Sequence, residues 1–451
     1  MHKHELIQRL FLLAVLTAFS FSCKSSPTGP HIGQNLQLSS DYVTCTEVWL
    51  KLAYSGQPSA VSGGEFKITR DGDTVLTGNL TSLDTTVIDT TAQPEQAYTY
   101  RAYRYFRNQV SDTSLAIQVT TMDTTSNNFT WQTYTFGGDA GSCILKDVAI
   151  INDTDIWAVG EIPIKDSSAN GYSVYNLVQW DGNGWRLAQV ESYTFCGQSN
   201  MGVYSAYSVL PWSKEDVWIA TAGELVRWIG DSQSTPVCIQ SGTPFDILRM
   251  WGEDSTHVFA VGRAGGMLTY DGYVWGSLSS STKLDIDDIW GISDSTTGQQ
   301  EILAVASDQF TNNGVAVLQL SSTQVTSLQT AGLPTTSIVG VWSANGKEWY
   351  VCGDGLYKSR DLNRPWQQIV SVPLVYTEAI RGTGPNDIFV VGDGVVLHFN
   401  GSTWFNCRSQ ISASSVQLYA VAVKGKTIVA VGQTLSGIVG GPALILVGKR
   451  N

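Results

Sequence analysis

From about residue 144 onward, short apolar runs recur along the chain, separated by polar turns at a near-constant interval. Each run opens on a turn residue and continues as an aromatic or aliphatic side chain followed by Ala-Val-Gly or its like. Asp155-Ile-Trp157-Ala-Val-Gly160 is the first. Asp216-Val-Trp218-Ile-Ala, His257-Val-Phe259-Ala-Val-Gly262, Glu301-Ile-Leu303-Ala-Val305, Glu348-Trp-Tyr350-Val-Cys-Gly353, Asp387-Ile-Phe389-Val-Val-Gly392 and Thr427-Ile-Val429-Ala-Val-Gly432 follow. The third residues of these runs are spaced by 61, 41, 44, 47, 39 and 40 positions. Periods of this size mean a repeat architecture in which each unit buries its apolar face against the next.

Each period contains the same order of elements. A first strand ends in Trp251-Gly252, Trp290-Gly291, Trp342-Ser343 or Arg381-Gly382, and the anchor run above is the second strand. A third strand ends at Trp180-Asp-Gly182, Tyr270-Asp-Gly272 or Phe399-Asn-Gly401, and a fourth begins at Trp185, Trp275, Trp366 or Trp404. Asp-Gly and Asn-Gly are strong hairpin signals, because glycine enters the left-handed region without strain. Four antiparallel strands per period, seven times over, predict a seven-bladed β-propeller. Fourteen of the fifteen Trp lie in this part, where large rings can fill the wedges between blades. The last unit has three strands, Leu418–Val423, Thr427–Val431 and Ala443–Val447. The stretch Asn128–Phe136, with Trp131 inside it, carries the missing fourth pattern, so the N-terminal strand is expected to close the ring and hide its sheet edges. The propeller is thus assigned to 128–451.

Residues 36–123 read differently. Val43–Leu52 alternates apolar and polar, Glu65–Arg70 pairs with Thr74–Leu76 across Asp71-Gly72-Asp73, and Ala97–Tyr105 alternates aromatics with Arg or Thr. Short strands at this spacing predict an antiparallel sandwich. Trp49, and Tyr98 after Pro94, resemble the core Trp and tyrosine corner of fibronectin type III domains. Arg101, Arg104 and Arg107 are expected on a solvated face of this sheet. The fold class is therefore all-β, a fibronectin type III-like sandwich followed by a propeller.

At the N-terminus, Lys3 and Arg9 precede an apolar run from Leu10 to Phe21 that is too short to span a bilayer. Residues 1–22 read as a secretory signal. Ser20-Phe-Ser-Cys23 resembles a bacterial lipobox, which implies lipidation of Cys23, followed by a flexible Pro/Gly-containing tether over 23–35. Diacylglycerol plus an amide-linked chain suffices for stable anchoring. Together with the repeats, and with a degenerate Asp box at Ser359-Arg-Asp361…Trp366, the chain resembles bacterial lipoprotein propellers with Asp-box or WD-like repeats. The resemblance implies an extracytoplasmic, lipid-anchored protein of the cell envelope, at the outer membrane.

Composition narrows the chemistry. Among 451 residues, 27 Lys and Arg stand against 39 Asp and Glu, a net charge of −12, which disfavours a nucleic-acid partner. Cys45, Cys143, Cys196, Cys238, Cys352 and Cys407 are far apart and show no CxxC, so zinc spacing is absent and small buried side chains in strands are the expectation. No metal site, nucleotide loop or nucleophile elbow appears, and no cofactor is expected. Asn152–Asp155 and Asp71–Asp73 read as turns rather than Ca²⁺ loops, and Gly353–Gly355 and Gly392–Gly394 as hairpin turns.

By repeat alignment the innermost strands carry Lys146, Asp147, Arg249, Asp287, Asp288, Glu378 and Arg381. These form a mixed-charge set lining the central funnel, either as a polar-ligand site or as a solvated rim. The leading functional expectation is a membrane-anchored, non-enzymatic binding or scaffold lipoprotein with an envelope protein or glycan as ligand. Analogy with other propeller lipoproteins adds outer-membrane assembly proteins as possible partners. The alternative is a sialidase-like glycoside hydrolase with Arg249, Arg381 and Glu378 in the funnel, which would need two carboxylates set about 5–10 Å apart.

Overall fold

The computed structural model describes residues 31–32, 35–55, 64–194, 198–222, 224–229, 233–237, 245–293, 300–308, 314–413, 415–436 and 439–451. The leader, Cys23, most of the tether, Cys196 and Cys238 lie outside the described residues. The described chain is built from strands, with two short 3-10 turns and no α-helix among the described residues. It divides into two compact units. The first comprises residues up to Asp41, Trp49–Asp89 and Tyr98–Val119; the second comprises Tyr42–Val48, Thr90–Ala97 and Thr120–Asn451.

In the N-terminal part, one sheet runs in the order His31–Ile32, Gln109–Thr113, Ala97–Phe106, Gly64–Arg70, Asp73–Leu80, with Ile117–Thr120 also on the Ala97–Phe106 strand. A second sheet is Leu36–Val43, Val48–Tyr54, Asp84–Asp89. His31 and Ile32 pair in parallel with Asp112 and Thr113, so regular structure reaches into the stretch expected as tether. Trp49, Leu50, Leu52, Phe66, Ile68 and Tyr100 are buried.

On the Ala97–Phe106 strand Tyr100 is fully buried and its hydroxyl donates to Asp89 at 2.8 Å, while Tyr98 is half-buried. One expectation on this strand is corrected. Arg104 is not solvated but 4% exposed, ion-paired to Asp112 at 3.4 Å and set over the Tyr54 ring. The strand keeps a strict period of two, which puts Arg104 on the same side as Tyr100 and Ala102.

The second unit contains seven four-stranded antiparallel sheets among the described residues. Their innermost strands are Ile144–Asn152, Ala206–Ser213, Ile247–Asp254, Asp285–Ser293, Ile338–Ser343, Thr377–Gly384 and Val416–Lys424, and each anchor run forms the second strand of its sheet. We number these sheets one to seven. Each inner strand packs against the inner strand of the next sheet, and the seventh against the first, so the sheets form a closed ring. Sheet seven is completed by Phe129–Phe136, which pairs antiparallel with Val439–Arg450 from Phe129↔Arg450 to Phe136↔Ala443. The ring is joined by backbone hydrogen bonds between its two chain ends, as expected.

The Trp-Gly signature acquires a physical cause here. A Cβ on Gly252 would lie 3.0 Å from the Trp212 ring, and one on Gly382 would lie 3.0 Å from the Trp342 ring. Gly291 faces the Trp251 ring in the same way, and Trp290 Nε1 donates to the Ser343 carbonyl at 2.8 Å. Each indole thus lies on the backbone of the next sheet, and glycine leaves room for it. The predicted hairpin corners also form. Asp181, Asp271 and Asn400 each accept two backbone N–H groups of the turn that follows them, with Gly182, Gly272 and Gly401 at φ of 88°, 93° and 97°. Asn152 likewise accepts the Thr154 N–H at 2.8 Å. Cys45, Cys143, Cys352 and Cys407 are free and buried, but only Cys352 sits in a strand.

Candidate functional site

The seven inner strands share one irregularity that the sequence pattern did not reveal. Each shifts register against its second strand by one residue, near its N-terminal end. The bulged residues are Lys146, Tyr207, Leu248, Asp287, Val339, Glu378 and Tyr419. A bulge adds one residue to a strand and re-aims its side chain. Repeated seven times, it sets these side chains as one tier at the mouth where the inner strands begin. The next residues, Asp147, Ser208, Arg249, Asp288, Gly340, Ala379 and Ala420, form the tier below.

The seven expected funnel residues therefore separate into two groups. Asp147, Arg249, Asp288 and Arg381 join in one ion lattice. Arg249 Nη1 pairs with Asp147, and Arg249 Nε lies 3.5 Å from Asp288. Arg381 donates to both oxygens of Asp288 at 2.7 and 2.8 Å, and its guanidinium stacks over Trp290 at 5.0 Å. Asp147 also accepts from Ser208 Oγ and the Val209 N–H, both at 3.0 Å, and Asp288 from the Val341 N–H at 2.9 Å. Six sheets thus contribute to the lattice, and sheet seven brings only the small Ala420. The two arginines are 13% and 16% exposed, and Asp288 is 2% exposed. Burial acts against the Arg381 charge, but Asp288 outweighs it and raises its pKa. Beside the lattice lies a cavity of about 180 Å³ walled by Val148, Trp290, Ala379 and Ala420–Val423.

Lys146, Asp287 and Glu378 stand apart from this lattice, in the bulge tier. Burial lifts Asp287 to about 8, with Asp285, Glu378 and Asp288 adding to the shift and the Ser307 hydroxyl, 3.1 Å away, opposing it. Burial and then Asp393 lift Glu378 to about 7, against the opposing pull of Arg249 in the tier below. Lys146 Nζ donates to Ser205 Oγ at 2.9 Å. Tyr207, Leu248, Val339 and Tyr419 complete the tier and were not legible as site residues. The feature these positions share in the sequence is an apolar residue just before the bulge, at Leu145, Ala206, Ile247, Ile286, Ile338 and Leu418, with Thr377 the exception; all seven are buried.

This arrangement does not favour the hydrolase alternative. A sialidase-like site needs its arginines open to a substrate carboxylate, whereas Arg249 and Arg381 face Asp147 and Asp288. Glu378 lies in the tier above them.

The chain matches no protein family and no curated protein. Solved structures do resemble it. A structure described as YCF48 bound to D1 peptide superposes with a TM-score of 0.51 at 14% identity, covering 73% of this chain and 99% of the other. The fold of this chain is a β-propeller. The C-terminal WD40 domain of Sif2 also aligns, at a TM-score of 0.40 and 13% identity, over 69% of this chain and 99% of that domain. The propeller's mouth is ringed by the bulge tier, and its channel is crossed by the ion lattice.

Proposed function

We propose that this chain is a lipid-anchored, extracytoplasmic scaffold protein whose propeller binds a protein partner at the bulge-tier mouth. On this reading residues 1–22 are a signal peptide, Cys23 carries the lipid, 23–35 is a tether, 36–123 is a fibronectin type III-like spacer and 128–451 is a seven-bladed propeller. The anchor holds it in a bacterial envelope, at the outer membrane.

One observation carries the binding reading: both channel arginines are neutralised inside the ring, while the mouth above them keeps a mixed set of side chains. Tyr207, Leu248, Val339 and Tyr419 are interspersed there with Lys146, Asp287 and Glu378, and such a mixture of aromatic, aliphatic and charged groups suits a protein interface. The fold likeness to YCF48, solved with a peptide bound, supports a protein ligand over a glycan.

The test is a photo-crosslinking amino acid placed at Leu248, a partly exposed residue of the bulge tier, in the full-length chain in its native cells. Irradiation is expected to join it to one protein, and Tyr419→Ala together with Glu378→Gln is expected to abolish that adduct. An adduct with glycan, no adduct, or one unchanged by the double variant overturns the reading.

A further inference from the structure

Lys146 is the cation of the bulge tier. Among the described residues it makes no ion pair; its ammonium instead points at a hydroxyl, Ser205 Oγ, at 2.9 Å. It also lies 3.6 Å from the centre of the Tyr207 ring, which holds it from one side. Ser205 immediately precedes the inner strand of sheet two, and its carbonyl accepts the Ala222 N–H at 2.8 Å, which fixes its backbone. Both residues are partly exposed, so a ligand entering the mouth can reach them.

A hydroxyl within hydrogen-bond reach of an amine is the minimal arrangement of a serine nucleophile with its base. Serine with lysine is one of the recurrent versions of that chemistry. The amine must spend part of its time neutral to act so. Burial brings the Lys146 pKa down to about 8. Glu161 raises it, Arg263 lowers it further and Asp246 raises it, and these are the charged groups that face it from the neighbouring elements.

We propose that Ser205 and Lys146 form a nucleophile–base pair that transfers the acyl group of small esters to water. Ser205 Oγ attacks the ester carbonyl carbon while its proton passes to neutral Lys146 Nζ. The tetrahedral adduct collapses by breaking the bond to the alcohol oxygen, which takes the proton back from Lys146. Water then attacks the Ser205 ester, giving its proton to Lys146. The carboxylic acid leaves as Ser205 Oγ recovers that proton. This activity goes beyond the partner-binding reading and does not depend on it.

The test uses the purified full chain with p-nitrophenyl acetate and, separately, a fluorophosphonate, with the adduct located by peptide mass spectrometry. The expected result is a single adduct on Ser205, formed at a rate that rises with pH through a midpoint near 8. Ser205→Ala removes it, and Lys146→Met and Lys146→Arg each slow it at least about 100-fold, the usual contribution of a positioned base. Circular dichroism checks that the variants fold. If a variant fails to fold, the location and pH profile in the unaltered chain decide. Adducts scattered over surface serines, adducts on Lys146 alone, or a rate undiminished in Lys146→Met overturn the proposal.

Discussion

Arg381 and Asp288 lie 93 residues apart in sequence and meet through two hydrogen bonds of 2.7 and 2.8 Å across the propeller's channel. The pair joins sheet six to sheet four, and Arg249 carries the link on to Asp147 of sheet one. Removing one partner of a buried pair leaves a charge without compensation. Arg381→Met is therefore expected to destabilise the fold by about 3 kcal/mol, and adding Asp288→Asn to return part of that loss. Urea titrations of the single and double variants measure it; additive losses would show that the pair is not coupled.

The indole-on-glycine contact predicts a steric effect of similar local origin. Gly291→Val places a branched side chain against the Trp251 ring, whose atoms are the nearest neighbours a Cβ at Gly291 would meet. Overpacking of this kind costs about 1–3 kcal/mol. Thermal unfolding read by tryptophan fluorescence is expected to move to lower temperature, with a changed emission spectrum in the native state. An unchanged transition would mean that the ring and the glycine backbone are not in close contact.

Asp287 fixes the direction of one pH effect. Its folded-state pKa is raised from 3.8 to about 8, so the native state binds more protons than the unfolded chain between those values. Stability then falls as pH rises through that window. Asp287→Asn is expected to be more stable than the unaltered chain at pH 8 and to match it near pH 4. Denaturant midpoints across this range provide the check. A variant that is less stable at pH 8 would mean that a cation compensates the carboxylate.

These residues also show what a sequence can and cannot reveal here. The anchor runs, the Asp-Gly corners and the closing strand around Trp131 are local patterns, and the structure contains each of them. The ion lattice was half legible: repeat alignment found Asp147, Arg249, Asp288 and Arg381 on inner strands, but not that they neutralise one another. Their pairing depends on the seven bulges, and a one-residue slip reverses which side chains face the channel. A period-of-two pattern carries no such slip, so it does not mark Tyr207, Leu248, Val339 and Tyr419. On the Ala97–Phe106 strand the aromatics change face between Tyr100 and Tyr103, so their pattern does not show the backbone alternation that buries Arg104.

Ring closure draws on more than backbone pairing. Phe129 packs edge-on against Phe389 and His398, with ring centroids 5.6 and 5.2 Å away, and Arg450 covers its face at 5.6 Å. Asp387 accepts from His398 at 3.1 Å and also binds Arg450. Phe129→Ala is expected to cost about 3–5 kcal/mol, as for other buried aromatics. A loss below 1 kcal/mol in urea titration would mean that the strand is held by its backbone alone.

The strand Phe129–Phe136 and the strand Val439–Arg450 belong to one sheet that shuts the ring. Native-state hydrogen exchange followed by mass spectrometry reads this pairing amide by amide. Amides of both strands are expected to be protected together and to lose protection together when Phe129 is changed to Ala. Rapid exchange of 129–136 in the unaltered chain, beside a protected 439–450, would contradict it.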